Sequence, residues 1–169
     1  MPFLFSAGIG VLLGYASGGR ISQLSSLRLR GLALILAGLI LQLLIFPLFS
    51  VRPLFPYATV PLHVFSYVLV FTFLILNLRL RPLLAVGAGA VLNIAAILAN
   101  GGRMPVSSTA LQRAGLVETA ERLSAAGTHG NVLLMNDGSR WKMLGDWLYL
   151  PDVVPFATAF SIGDLLIMV

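Results

Sequence analysis

The chain has 169 residues, of which 58% are hydrophobic and only 10% charged, with a mean hydropathy of +0.95. Soluble domains carry about 25% charged residues, and a soluble fold this small has too little interior to hide so much apolar surface, so lipid is the more plausible solvent. The formal charge of +5 does not indicate nucleic acid: ten of the eleven basic residues are Arg, placed singly or in pairs between apolar runs as membrane-flanking charge is. The absence of Cys excludes disulfides, thiolate metal sites and Cys nucleophiles within the chain.

Four apolar segments, 2–19, 31–50, 57–77 and 82–100, are long enough to span, since a spanning helix needs about 20 residues. A fifth, over 153–169, is at the short limit, so either the chain is truncated or this helix barely spans. The expected fold is an all-α polytopic membrane protein: a four-helix transmembrane region over 1–100, a small extracytoplasmic cap over 101–152, and a fifth transmembrane helix over 153–169. The first segment lacks the basic start of a signal peptide, its first charge being Arg20 after the apolar run, and it is expected to be a retained helix. Arg20, Arg28 and Arg30 follow the first helix, Arg79 and Arg81 follow the third, and Arg52 alone lies between the second and third. This bias puts the N-terminus and the cap outside the bacterial inner membrane and the C-terminus inside. SLRLRGLA at 26–33 echoes NLRLRPLL at 77–84; either the hairpin is duplicated, or two inside turns acquired Arg beside Leu independently.

In the cap, Thr109-Ala-Leu-Gln112 is a capping-box pattern that predicts a helix starting there. Leu116, Ala120 and Leu123 would share one face of a helix lying flat on the membrane or on the bundle, Glu118 and Arg122 would pair across one turn, and Gly127 would end it. NVLLM and RWKML flank Asn136-Asp-Gly-Ser and predict a hairpin. Trp141, Trp147 and Tyr149 would then sit at headgroup depth.

The junction itself reads ILANGGRMPVSS, at 97–108; the residues before it hold no acid, and all six Asp and Glu follow it. Asn100-Gly101-Gly102 suits the end of a helix leaving the membrane, where a left-handed Gly turns the chain and satisfies terminal carbonyls. Arg103 would face the negative end of the helix dipole, and Pro105 would stop the helix resuming. The alternative is a ligand site, in which exposed backbone and Arg103 hold the phosphate or carboxylate of a lipid headgroup.

NGGRMPVS at 100–107, LGDW at 144–147 and SIGD at 161–164, with GGRIS at 18–22, resemble a family of small bacterial membrane proteins of unknown function. The resemblance implies a five-helix membrane protein in which SIGD opens the final helix, and implies no activity; this chain ends a few residues earlier than that pattern.

Polar side chains inside apolar helices carry most of the functional information. Counted at about 1.5 Å per residue from the expected outer ends, His63 and Asn93 lie roughly 10 Å deep, Gln42 roughly 12 Å and Asp164 roughly 15 Å. They are expected to converge on one outward-opening pocket beneath the cap. Each has a structural alternative: Gln42 and Asn93 as interhelical glue, His63 bonded near the carbonyl freed by Pro61, and Asp164 as a protonated acid on a backbone carbonyl. An enzyme would draw on Asp164, Asp146 and His63 as catalytic candidates, with the two carboxyls sharing a proton. FATAFSIGDLLI faintly resembles the last catalytic helix of the lipoprotein signal peptidases, with Asp164 at the acid's place, but the preceding helix offers Asn93 to Asn100 where those enzymes need a second Asp. No nucleophile spacing, metal-ligand cluster, phosphate loop or dinucleotide fingerprint is present, so no metal and no cofactor is implied.

Gly10, Gly14 and Gly18 form a small-residue stripe on the first helix that would admit a neighbouring helix or another subunit closely. Two functions follow. One is a non-catalytic accessory subunit, or a component that binds an amphiphile (lipid, quinone or pigment) within a larger membrane complex. The other is a membrane enzyme acting on an amphiphile at the outer leaflet through Asp164 with Asp146. Asn93, Asn100, Gly101, Gly102, Arg103 and Gln42 are the candidate ligand-binding residues, and the bilayer is the expected partner.

Overall fold

The computed structural model describes residues 2–20, 22, 27–45, 58–154 and 157–168. Over these the protein is mostly helical, with two small sheets. The long apolar helices are α1 (Pro2–Ala16), α2 (Leu32–Ile45), α3 (Thr59–Leu76) and α4 (Pro82–Ala99). Their sequences are nearly uncharged runs of Leu, Ile, Val and Ala, apolar on every side, which suits a helix buried in protein or lipid. The two 18-residue helices, α3 and α4, are long and apolar enough to cross a membrane, at about 27 Å each. Residues 46–50 of the expected second span, and Arg52, lie outside the described residues.

Two glycine contacts set the helix pairs. A Cβ on Gly38 of α2 would lie 3.3 Å from the Ser66 carbonyl of α3 and 3.6 Å from Leu69, so the two backbones cross closely there. The final helix, α7 (Ile162–Met168), runs antiparallel to α4, and a Cβ on either Gly89 or Gly163 would collide with the other's carbonyl oxygen. By contrast, a Cβ on Gly10 or Gly14 would meet nothing within 4 Å, so among the described residues that part of the expected stripe is open, whereas Gly18 lies beyond the end of α1 at φ +82° and does not continue it.

Asn residues end both bilayer-length helices in the same way. Asn77 Nδ2 donates to the Phe73 carbonyl at 2.8 Å and the Arg30 carbonyl at 2.7 Å, while its Oδ1 accepts from Arg30 N–H at 2.9 Å. Asn100 Nδ2 donates to the Ala96 and Arg140 carbonyls, both at 2.8 Å, and its Oδ1 accepts from Arg140 N–H at 2.8 Å. Each carboxamide thus bonds its own helix's last turn and clamps one distant residue's backbone, satisfying groups that a helix end leaves unpaired.

The cap begins with β1 (Met104–Val106), continues through α5 (Ser108–Arg113), α6 (Val117–Ala126), β2 (Thr128–His129), β3 (Val132–Leu134) and a 3-10 turn at Lys142–Leu144, and ends in the hairpin of β4 (Leu148–Leu150) and β5 (Thr158–Phe160). The first sheet has the order β1-β3-β2, with β1 parallel and β2 antiparallel to β3. Val106, Leu111, Ala120 and Leu123 form its core; Ala96, Ile97 and Met104 form a second cluster that joins the end of α4 to the cap, and Val132 packs against both.

Three expectations need correction. The helix expected from Thr109 is two helices: Ser107, not Thr109, caps α5 by accepting from Ala110 N–H at 3.3 Å, and Gly115 at φ +74° turns the chain before α6. Its second half is as expected, with Ala120 and Leu123 buried, a left-handed Gly127 at the end and a 2.6 Å Glu118–Arg122 ion pair. The hairpin expected across Asn136-Asp-Gly-Ser forms instead between β2 and β3, around Gly130. RWKML is no strand because Asn100 takes both backbone groups of Arg140, and Trp141 follows at φ +50°. Finally, 153–169 is not one helix: Thr158–Phe160 pairs with β4, and helix begins only at Ile162, as the SIGD motif implied.

Candidate functional site

The three motifs are where the cap meets the helices. In NGGRMPVS, Gly101 and Gly102 adopt φ +68° and +87°, and Gly102 N–H reaches back to the Ile97 carbonyl at 2.8 Å, a Schellman closure of α4. Gly102 also packs so tightly on Val60 of α3 that any Cβ would stand 2.6 Å from its methyls, and His63 hydrogen-bonds to the Gly102 backbone. Met104, Pro105 and Val106 are buried in β1. Pro105 costs no hydrogen bond there, because that edge of β1 bonds residue 146 through the Pro105 carbonyl and Ser107 N–H alone, at 2.8 and 2.9 Å. In LGDW, a Cβ on Gly145 would strike the Pro105 carbonyl and Met135, so only Gly lets Asp146 come alongside β1.

The SIGD motif opens α7 with a reciprocal cap. Ser161 Oγ accepts from Asp164 N–H at 2.9 Å, and Asp164 Oδ2 accepts from Ser161 N–H at 3.1 Å. Asn93 closes the network from α4: its Nδ2 donates to Asp164 Oδ1 at 2.7 Å, and its Oδ1 accepts from Ser161 Oγ at 2.8 Å. Asn93 and Ser161 are buried. Asn93 lies six residues, or about 9 Å, before the end of α4, so α7 starts well inside the helix pair rather than at its rim. Such a start is tolerable away from water because both motif residues bond each other and the neighbouring helix.

Asp146 is the one carboxyl here left incomplete. Its Oδ1 is buried and, among the described residues, has no hydrogen-bond partner. Burial first, and the charge of Asp164 second, push its carboxyl up to about 8. Asp146 is therefore mostly a neutral acid at pH 7, able to donate a hydrogen bond. No hydrogen bond joins it to Asp164, whose charge disfavours ionising Asp146, and Tyr67 of α3 is close enough to interact with both. The Tyr67 ring lies 5.5 Å from that of His63.

Of the expected site residues, Asn93 and Asp164 bond directly, Tyr67 interacts electrostatically with both Asp164 and Asp146, and His63 lies against the Tyr67 ring. Gln42 is on another pair: its Nε2 donates to Ser66 Oγ at 3.1 Å, which donates to the His63 carbonyl at 2.6 Å, a contact between α2 and α3. Asn100, Gly101 and Gly102 are engaged in the end of α4, and Arg103 is exposed. Ser161 and Tyr67 were missed in the sequence; Ser161 could have been found, since Ser-x-x-Asp before an apolar run is a capping box. Among the described residues, no three His, Asp or Glu side chains are grouped to hold a metal ion.

Fold and site together define a helical protein with two bilayer-length helices and a small α/β cap keyed into their ends by Asn, Gly and Ser, with one half-buried acid at the seam whose Oδ1 has no partner among the described residues. The chain belongs to a family of unknown function, DUF5317, whose pattern matches residues 26–169. No curated protein and no solved structure matches it significantly.

Proposed function

We propose that this chain is a multi-pass protein of the bacterial inner membrane, with its cap outside, that holds the polar head of an amphiphile (a lipid, quinone or pigment) against Asp146 at the seam between cap and helices. It acts as a non-catalytic component of a larger membrane complex. The membrane part is supported by the two spans and by large apolar side chains, such as Phe65, Val68, Ile75, Val91 and Leu98, that α3 and α4 leave exposed. The ligand part rests on one observation, the buried Asp146 Oδ1 with no partner. A native buried polar atom is normally satisfied, so an orphan beside two further polar groups marks a place for a ligand's own polar atom. The remaining candidates favour binding over chemistry, since Asp164, Asn93 and Ser161 already satisfy one another.

Mass spectrometry of small molecules retained by the full chain in nanodiscs tests this. Wild type and Asp146→Asn, which keeps a hydrogen-bond donor, are expected to carry the same amphiphile above bulk lipid, and Asp146→Leu to lose it. Equal retention by Asp146→Leu would overturn the proposal.

A second function is an enzyme using the two carboxyls, favoured by the electrostatic coupling of a neutral Asp146 to Asp164. Here the second acid comes from the cap, where the signal peptidases would supply it from a helix. An Asp164→Asn variant that folds and still turns over an amphiphile would remove this alternative.

A further inference from the structure

The turn that hangs from Asn100 has a composition and a posture that the ligand site does not use. Arg140, Trp141, Lys142 and Met143 are consecutive and all exposed, Trp141 by 56% and Met143 by 70%. Trp147 is exposed as well, and its ring N–H donates to the Met143 carbonyl at 2.9 Å, which binds it to the same turn. Trp141 holds φ +50°, a left-handed conformation that a bulky side chain rarely adopts. The residue before it is held from outside, since the Asn100 carboxamide grips both backbone groups of Arg140. The turn is thereby fixed at the level where α4 ends, and its apolar side chains are held out from the protein rather than folded into it.

We infer that this turn is a docking surface for the headgroup layer of an anionic bilayer, with Trp141 and Met143 entering the interface and the cations around them meeting lipid phosphates. The inference rests on the membrane reading of α3 and α4 and names the lipid that the cap prefers. Indole rings are favoured at headgroup depth, and an exposed apolar pair at the mouth of a bilayer-length helix is placed there by the helix itself. Charge fixes the lipid class. The Arg140 side chain has no partner among the described residues, and Arg103, three residues past Asn100, is exposed. Among the described residues Lys142 has one acidic neighbour, Asp137, at 3.8 Å, a long contact on an exposed carboxylate that holds the ammonium weakly. Asn100 acts as a positioning residue: it sets the depth of the turn and touches no lipid.

Single-tryptophan variants of the full chain test this in vesicles of phosphatidylcholine, with and without phosphatidylglycerol, carrying lipids brominated near the headgroup. Trp147→Phe leaves Trp141 as the reporter, and its quenching by brominated lipid is expected to rise with phosphatidylglycerol. Arg140→Gln with Lys142→Gln should weaken the docked state on the order of fivefold per cation removed. This pair leaves the Asn100 clamp intact, because the clamp uses the Arg140 backbone. Asn100→Ala should lower Trp141 quenching in both lipids. Phe65→Trp, in a background without Trp141 and Trp147, reports on the exposed face of α3. If that probe is quenched and Trp141 is not, or if Trp141 ignores phosphatidylglycerol, the docking inference fails alone. If the α3 probe is also unquenched, the membrane reading fails with it.

Discussion

Replacing Ser161 by Ala removes the hydroxyl that bonds the start of α7 both to itself and to α4. The hydroxyl accepts from Asp164 N–H at 2.9 Å and donates to Asn93 Oδ1 at 2.8 Å, and the residue has no exposure to water. Loss of the cap costs about 1 kcal/mol. The stranded Asn93 oxygen adds about 1 kcal/mol, at the low end for an unsatisfied buried acceptor, because hydrogen bonds between helices in lipid are worth less than their burial suggests. The sum, about 2 kcal/mol, corresponds to a Tm lowered by roughly 4–8 °C for a chain of this size. Thermal unfolding in a mild detergent, followed by near-ultraviolet circular dichroism, measures it. Repeating the substitution in an Asn93→Ala background separates the two parts, since only the cap can then be lost and the cost should fall to about 1 kcal/mol. Equal costs in the two backgrounds would refute the closed Asn93–Ser161–Asp164 network.

Asp146 makes stability depend on pH. Its carboxyl sits at about 8 when folded against an ordinary value of 3.8, so between those values the folded state holds a proton that the unfolded state has lost. Stability should therefore fall as pH rises from about 4 to about 8, by about 1.4 kcal/mol per unit, and level off on either side; Asp146→Asn should flatten this segment of a denaturation series. Gly163→Ala places a methyl into Asn93 and the Gly89 carbonyl and should cost about 1–3 kcal/mol, whereas Gly10→Ala, with open space around it, should be neutral or stabilise by up to about 1 kcal/mol. Parallel melts of the two variants decide it, and similar losses in both would refute the open stripe. Asn77→Ala should speed hydrogen exchange at the Arg30 amide, and Asn100→Ala at the Arg140 amide, each without the other, because each clamp holds a single distant residue.

The sequence exposed what local chemistry controls. Uncharged runs of Leu, Ile and Val about 15 to 20 residues long suit helices buried in protein or lipid, and α1 to α4 fall where those runs do. Asn100-Gly101-Gly102 ends α4 because a left-handed Gly after a helix needs no tertiary partner, and the Leu116, Ala120 and Leu123 face of α6 follows from its 3.6-residue period. What the sequence concealed depends on partners far along the chain. RWKML has strand-like residues, yet Asn100, 40 positions earlier, takes the backbone bonds a strand would need. The 153–169 run is apolar enough for a helix throughout, but pairing with β4 claims Thr158–Phe160, and Ser161 with Asp164 then starts the helix late. The polar residues in the helices were visible as costly and therefore in need of partners. Which partners they found was settled only by packing, Gly89 on Gly163 for Asn93 and Gly38 against Ser66 for Gln42, because a carboxamide that can bond almost anything bonds whatever the backbones bring within reach.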